Sequence, residues 1–270
     1  MWKAVSLGLA LAVLLSVRDA RAFELKHTPS GQLVQWREAQ VAFVVDPSVE
    51  AAVPGGAAAI VSAVAAWSGV SGAPELVASV GPGGGKVAVD GQNTILLAPD
   101  GYEPAGGALA VTVLSFDDTT GAIVDADIVV NGIHAFAVLA AQAKAAQASP
   151  VSNEGAGSST PGLVFDLQHV AAHEVGHSLG LGDVDADDAL MYAYTLPGDA
   201  SSRAPLGDDT EGLASLYSSS AISSGCGQAS AAGERHRPGS SLETLAGVMA
   251  AALGLACRRR KASRTSQPRR

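Results

Sequence analysis

The sequence predicts an α+β domain, and three observations carry that prediction. Short Val- and Ile-rich runs, separated by Gly/Pro turns, fill the first half of the chain and read as strands. Helical stretches interrupt and then follow them, so the sheet comes early and most helices late. The chain has 270 residues, 47% of them hydrophobic, which is enough for one sizeable core.

The elements follow in order. Residues 40–45 (QVAFVV) read as a strand, followed by an Asp46-Pro47 turn. Residues 56–68 have helical length, and Ile60, Val64 and Trp67 recur at i, i+4 and i+7, marking a buried face. Strands are expected at 75–80, 94–97 and 109–116. Asp117 to Gly121 then reads as a hairpin connection into 123–130, where alternation puts Asp125 and Asp127 on one side. The Ala-rich stretch 135–148 reads as a helix and 149–162 as a low-complexity loop. Asp166 is a suitable N-cap for a helix running to about Leu179, ended by Gly180 and Gly182. Asp208 and Asp209 open a short last helix to Tyr217, where acids suit the helix dipole.

The ends read differently from the body. Residues 1–22 have the form of a signal peptide: Lys3, an apolar run from Ala4 to Val17, and an Ala20-Arg21-Ala22 cleavage pattern. The apolar run is short for a membrane span. The mature chain is expected to start at Phe23, with a body over 23–220 and a tail over 221–270. In the tail an apolar run at about 242–257 precedes a basic stretch, 258–270, the layout of a membrane-retention signal. The expectation is an exported domain, extracellular or held at the cell surface, that meets the membrane only through this tail.

Charge and cysteine usage narrow the function. The formal net charge is -9, and residues 23–225 hold 5 Lys/Arg against 23 Asp/Glu. Phosphate binding needs clustered cations, so the acidic body argues against nucleic acid, and none is expected as a partner. Both cysteines, Cys226 and Cys257, lie beyond the body, which must be held by core packing, with metal ions as an optional addition, rather than by a disulfide.

The segment His173-Glu174-Val175-Gly176-His177-Ser178-Leu179-Gly180-Leu181-Gly182-Asp183 carries the chemistry. Residues i and i+4 share a helix face, so the His173 and His177 imidazoles can reach one ion. Zn²⁺ favours such nitrogen ligands. Glu174 lies between them, placed to take a proton from a water that the ion activates. Gly180 lets the chain turn sharply, so that Asp183 can return as a third, carboxylate ligand. His169 lies on the same face one turn earlier. Three ligands at i, i+4 and i+8 would span about 12 Å, too far for one ion. His169 is therefore assigned to structure or to the cleft wall. His27, His134 and His236 have no partner spacing and read as solvated or core histidines.

These motifs resemble the metzincins, and among them the matrixin-like group. HExxHxxGxxD is the variant with a snapalysin-like third ligand. Ala189-Leu190-Met191-Tyr192 stands where the family has its methionine turn. Asp208-Asp209 with Glu211 to Tyr217 is similar to the matrixin C-terminal helix, and Asp125 to Asn131 to a segment of bacterial matrixin-like domains. The resemblance implies a zincin-like catalytic domain with a twisted, mostly parallel sheet, an active-site helix, a Met-turn and a C-terminal helix. It implies a zinc endopeptidase acting on proteins or peptides, expected to be a monomer. Met191 would form an apolar floor under the zinc and Tyr192 would line a substrate pocket.

Three departures from the family stand out. Aspartate replaces the commoner third histidine. No cysteine precedes residue 226, so latency by a cysteine switch is excluded. The histidines of a second, structural zinc are missing around 101–127. Ca²⁺ held by some of Asp117, Asp118, Asp125 and Asp127 is an option, with solvated turn acids the preferred reading. The tail resembles a MYXO-CTERM sorting tail, with Cys226 as processing site. The rival reading of the whole chain is a non-catalytic zinc- or calcium-binding surface module on a metzincin scaffold. Retention of Glu174 argues against it.

Overall fold

The computed structural model describes residues 23–141, 151–152 and 163–223. The leader, the tail with both cysteines, His236 and most of the 149–162 loop lie outside the described residues. Among the described residues no helix is long and apolar enough to cross a membrane.

A five-stranded sheet organises the domain. Its strands are β1 (Gln40–Val45), β2 (Glu75–Val80), β3 (Asn93–Ala98), β4 (Ala110–Phe116) and β5 (Ile123–Asn131), in the spatial order β2-β1-β3-β5-β4. The pairs β1–β2, β1–β3 and β3–β5 are parallel, and only β4, at the edge, runs antiparallel to β5. The sheet is thus mostly parallel. β3 and β5 are buried along nearly their whole length, the Ile/Leu run at 95–97 and the Ile/Val run at 128–130 lying on interior strands.

Two helices lie between β1 and β2. α1 (Pro47–Ala52) was not foreseen, because Asp46-Pro47 reads as a turn; in fact Asp46 caps the helix and Pro47 opens it. α2 (Gly56–Ala65) buries Ile60 and Val64, and Trp67 just beyond its end, on the face that the periodicity predicts. Gly56 is the close-approach point: a Cβ there would lie 2.9 Å from Leu167 Cδ2, on the helix that follows.

That helix is α3 (Leu167–Ser178), and it packs against α2, β4 and β5. Asp166 caps it as expected, accepting from the His169 amide at 3.0 Å. The same carboxylate, fully buried, is clamped by Arg203 through Nε at 2.7 Å and Nη2 at 2.6 Å. It also accepts from the Leu139 amide at 3.0 Å.

The helix expected at 135–148 is corrected over its described part, residues 135–141; residues 142–148 lie outside the described residues. Ala135–Ala137 form a strand, β6, paired in parallel with β8 (Val164–Asp166). Phe136 packs against Phe165, and the clamp on Asp166 takes up the Leu139 backbone. Alanine content favoured a helix; backbone pairing and burial of Phe136 won. A second short pair joins β7 (Val151–Ser152) to β9 (Tyr194–Thr195). The chain ends, among described residues, in α4 (Gly207–Ser223), which runs past the expected end at Tyr217.

Asp125 and Asp127 are not the solvated turn acids expected. Each is 1% exposed. Asp127 accepts from the amides of Ala88 and Thr94, and Asp125 from those of Asp90 and Gly91. They fasten the 81–92 loop onto β5. Burial, the largest cause, raises both carboxyls above the usual range. Asp117 does stand in an exposed turn, where it accepts from Thr119 and Thr120. These acids form no shared cluster, so calcium gains no support.

Candidate metal centre

α3 presents His173 and His177 on one face, one turn apart, with ring centroids 4.6 Å from each other. Both are fully buried. Each Nδ1 sits 2.9 Å from a carbonyl oxygen, that of Leu190 for His173 and that of Leu181 for His177. A carbonyl only accepts, so each Nδ1 carries the hydrogen and each Nε2 faces the other way.

Both Nε2 atoms face Asp183 Oδ1, at 3.2 Å from His173 and 3.5 Å from His177. Among the described residues this is the cluster whose ligand atoms could hold one metal ion, all within 4.8 Å of one another. The donor set fits zinc. Ligand atoms at Zn–N and Zn–O distances near 2.0–2.1 Å in a tetrahedron stand about 3.3 Å apart, and the separations of 3.2 and 3.5 Å bracket that value. Two imidazole nitrogens and a carboxylate oxygen gathered this closely are a donor set that a divalent cation would bind. Burial works against ionisation of Asp183; hydrogen bonds and positive charge from the His173 and His177 imidazoles, once these are protonated on Nε2, outweigh it and hold the carboxyl well below the usual range.

The sharp return of the chain to Asp183 depends on Gly180. Its φ is +101°, and a Cβ there would stand 2.1 Å from the Val34 carbonyl oxygen. The chain's first described residues hold the returning segment. The Lys26 amide donates to Gly180, the Gly182 amide donates to Glu24, and Leu25 bridges to Leu181. Trp36 Nε1 donates to the Ser178 carbonyl and Tyr217 Oη to that of Leu179, satisfying the end of α3.

Met191 lies beneath α3, 1% exposed. A Cβ on Gly176 would meet Met191 Sδ at 2.3 Å and Trp67 Cζ2 at 2.7 Å, so the helix rests directly on both. Asp209, at the start of α4, fixes this turn. Its carboxylate accepts from the amides of Leu190 (2.9 Å), Met191 (3.0 Å) and Leu206 (2.9 Å). A chain of contacts thus runs from Asp209 through the Leu190 peptide to His173 Nδ1. The sequence offered Asp209 as an acid suited to a helix dipole and as part of the segment similar to the matrixin C-terminal helix, with no sign of its contacts to Leu190 and Met191.

Glu174 is fully buried beside the histidines. Thr112, on β4 and 62 residues away, places its hydroxyl 2.7 Å from Glu174 Oε2 and 2.9 Å from the Glu174 carbonyl oxygen. Nothing in the sequence marked Thr112. Tyr192 stands in the wall of a cavity of about 320 Å³, next to Tyr194. His169 lines the same cavity instead of joining the cluster. Burial first, then the neighbouring His173, lowers the His169 pKa to about 4. His134 is a core histidine, its ring edge-on to Phe165 and its Nε2 at 3.0 Å from Gly107 O, whereas His27 is exposed.

Residues 103–218 match the matrixin family. The chain is 44% identical over 54 residues to metalloendoproteinase 5-MMP of Arabidopsis thaliana, covering 20% of this chain and 15% of that one. It is 45% identical over 56 residues to metalloendoproteinase 4-MMP of the same plant, covering 20% of this chain and 16% of that one. The matched stretch is therefore a small part of those relatives' length.

Proposed function

We propose that this chain, which carries a matrixin-like metzincin domain of α+β fold, is a zinc-dependent endopeptidase acting on proteins or peptides. The observation that carries the reading is the convergence of His173 Nε2, His177 Nε2 and Asp183 Oδ1, with Glu174 alongside on the same helix. His173, His177 and Asp183 would hold the ion. Zinc, when bound there, supplies the Lewis acidity that activates water and polarises a scissile carbonyl.

Glu174 takes a proton from the attacking water and hands it to the leaving amine, so the side chain returns to its starting state. β4 is the sheet edge that packs against α3, and among the described residues no strand lies on its outer side. An extended peptide laid along that edge pairs its backbone with β4 and passes Glu174. Leu190 and Leu181 orient the two imidazoles through their carbonyls, and Met191 supports the helix from below. Tyr192 lines the adjoining cavity, where it would meet a substrate side chain.

Export rests on the sequence of residues 1–22, and surface attachment on the apolar and basic tail, with Cys226 as its processing point. The body over 23–220 would act as a monomer outside the cell.

Digestion of casein by the purified chain tests the reading. Activity that a chelator abolishes, that zinc restores and that Glu174→Ala lacks is the expected result. A Glu174→Ala variant as fast as the wild type overturns it.

A further inference from the structure

Position 112 on β4 alternates with Ala110 and Leu114, apolar residues that share its face of the strand. Packing alone would be served as well by valine, which has the same branched shape and suits a strand. What threonine adds is a hydroxyl between two oxygens of one residue, 2.7 Å from Glu174 Oε2 and 2.9 Å from the Glu174 carbonyl. A hydroxyl has one hydrogen and can donate to only one of them at a time.

From this geometry we infer that Thr112 is a positioning residue for Glu174, an inference that rests on the proposed role of Glu174 as base. While Glu174 is a carboxylate, the Thr112 hydroxyl donates to Oε2, in a short charge-assisted bond that fixes the terminal torsion of the side chain. When Glu174 has accepted the proton lost by water on its other oxygen, Oε1, Oε2 still accepts from the Thr112 hydroxyl, so the bond persists. Thr112 keeps its own proton throughout. It gives the base a partner in both states without a change in its own chemistry. The strand that would align a peptide thereby also sets the base against it, so the two are placed by one element.

The test compares Thr112→Val, Thr112→Ser and Thr112→Ala in the full chain, with labelled casein as substrate. Loss of a hydrogen bond to a charged group predicts a fall of about tenfold or more in kcat for valine. KM and zinc content should stay within about twofold, and serine should restore the rate. In a Glu174→Gln background, adding Thr112→Val should change nothing further. A second reading needs no substrate: in metal-free protein labelled with ¹³C at glutamate Cδ, the Glu174 resonance should move in the valine variant and return in the serine variant.

Wild-type kcat and an unmoved Glu174 resonance in Thr112→Val, with Glu174→Gln inactive, would overturn the inference and leave the base assignment standing. Full activity in Glu174→Gln would remove the base assignment itself. Should valine disturb folding, the serine and alanine variants decide: equal rates for the two contradict the inference, and a tenfold deficit for alanine alone supports it.

Discussion

Replacing Asp209 by asparagine should weaken both the fold and the metal site, although Asp209 touches no ligand atom. Its Oδ2 receives the amides of Leu190 and Leu206, and its Oδ1 that of Met191. An asparagine must put an NH₂ group in one of those places. The less costly orientation sets it against the Met191 amide, which loses one bond and opposes two donors. One hydrogen bond to a charged group contributes about 1.5–3 kcal/mol, and the group is buried, so a loss of about 2–3 kcal/mol is expected. The displaced Leu190 peptide no longer orients His173 Nδ1, and such outer contacts are worth roughly 10- to 100-fold in metal affinity. Urea denaturation of the metal-free protein and zinc titration against a competing chelator read the two effects separately. Stability within about 0.5 kcal/mol of wild type, a surface-like value, together with unchanged zinc affinity, would refute the contact chain from α4 to His173.

Other expectations follow from the same packing. Arg203→Ala strands the buried Asp166 carboxylate, and loss of one partner of a buried pair should cost about 3–5 kcal/mol, measured by denaturation. Gly176→Ala gains helix propensity of about 1 kcal/mol but drives a methyl into Trp67 and Met191. Overpacking of about 1–3 kcal/mol should win, and a rise in melting temperature would count against the contact. His169 titrates at about 4 in the fold and near 6.5 when unfolded, so the unfolded chain binds the proton first. Stability should therefore fall as pH drops from about 6.5 to 4, by about 3 kcal/mol in full. The difference in unfolding free energy between wild type and His169→Leu across that window checks it.

The parts of this domain that were legible in the sequence are those whose signal is local. His173 and His177 share a face because four residues separate them, and Gly180 announces the turn that brings Asp183 back. β1, β2 and α3 lie where their alternation or cap places them. What escaped is carried by contacts distant in sequence. Thr112 meets Glu174 only because β4 pairs with β5 beneath α3. Asp209 has its effect at Leu190 and Met191, not only on its own helix. Asp125 and Asp127 look like surface acids until the 81–92 loop folds its amides over them. The stretch after His134 misled because alanine signals a helix in isolation, whereas pairing with β8 decides the matter here. α1 escaped because six residues are too few to show a period.

The central claim is that His173, His177 and Asp183 share one ion. X-ray absorption at the zinc edge of the purified chain, together with metal analysis, tests it most directly. The account predicts one zinc per chain, with two imidazole nitrogens and an oxygen at about 2.0–2.1 Å, and loss of that zinc in a His173→Ala/His177→Ala variant. The same spectrum and stoichiometry in that variant would contradict it.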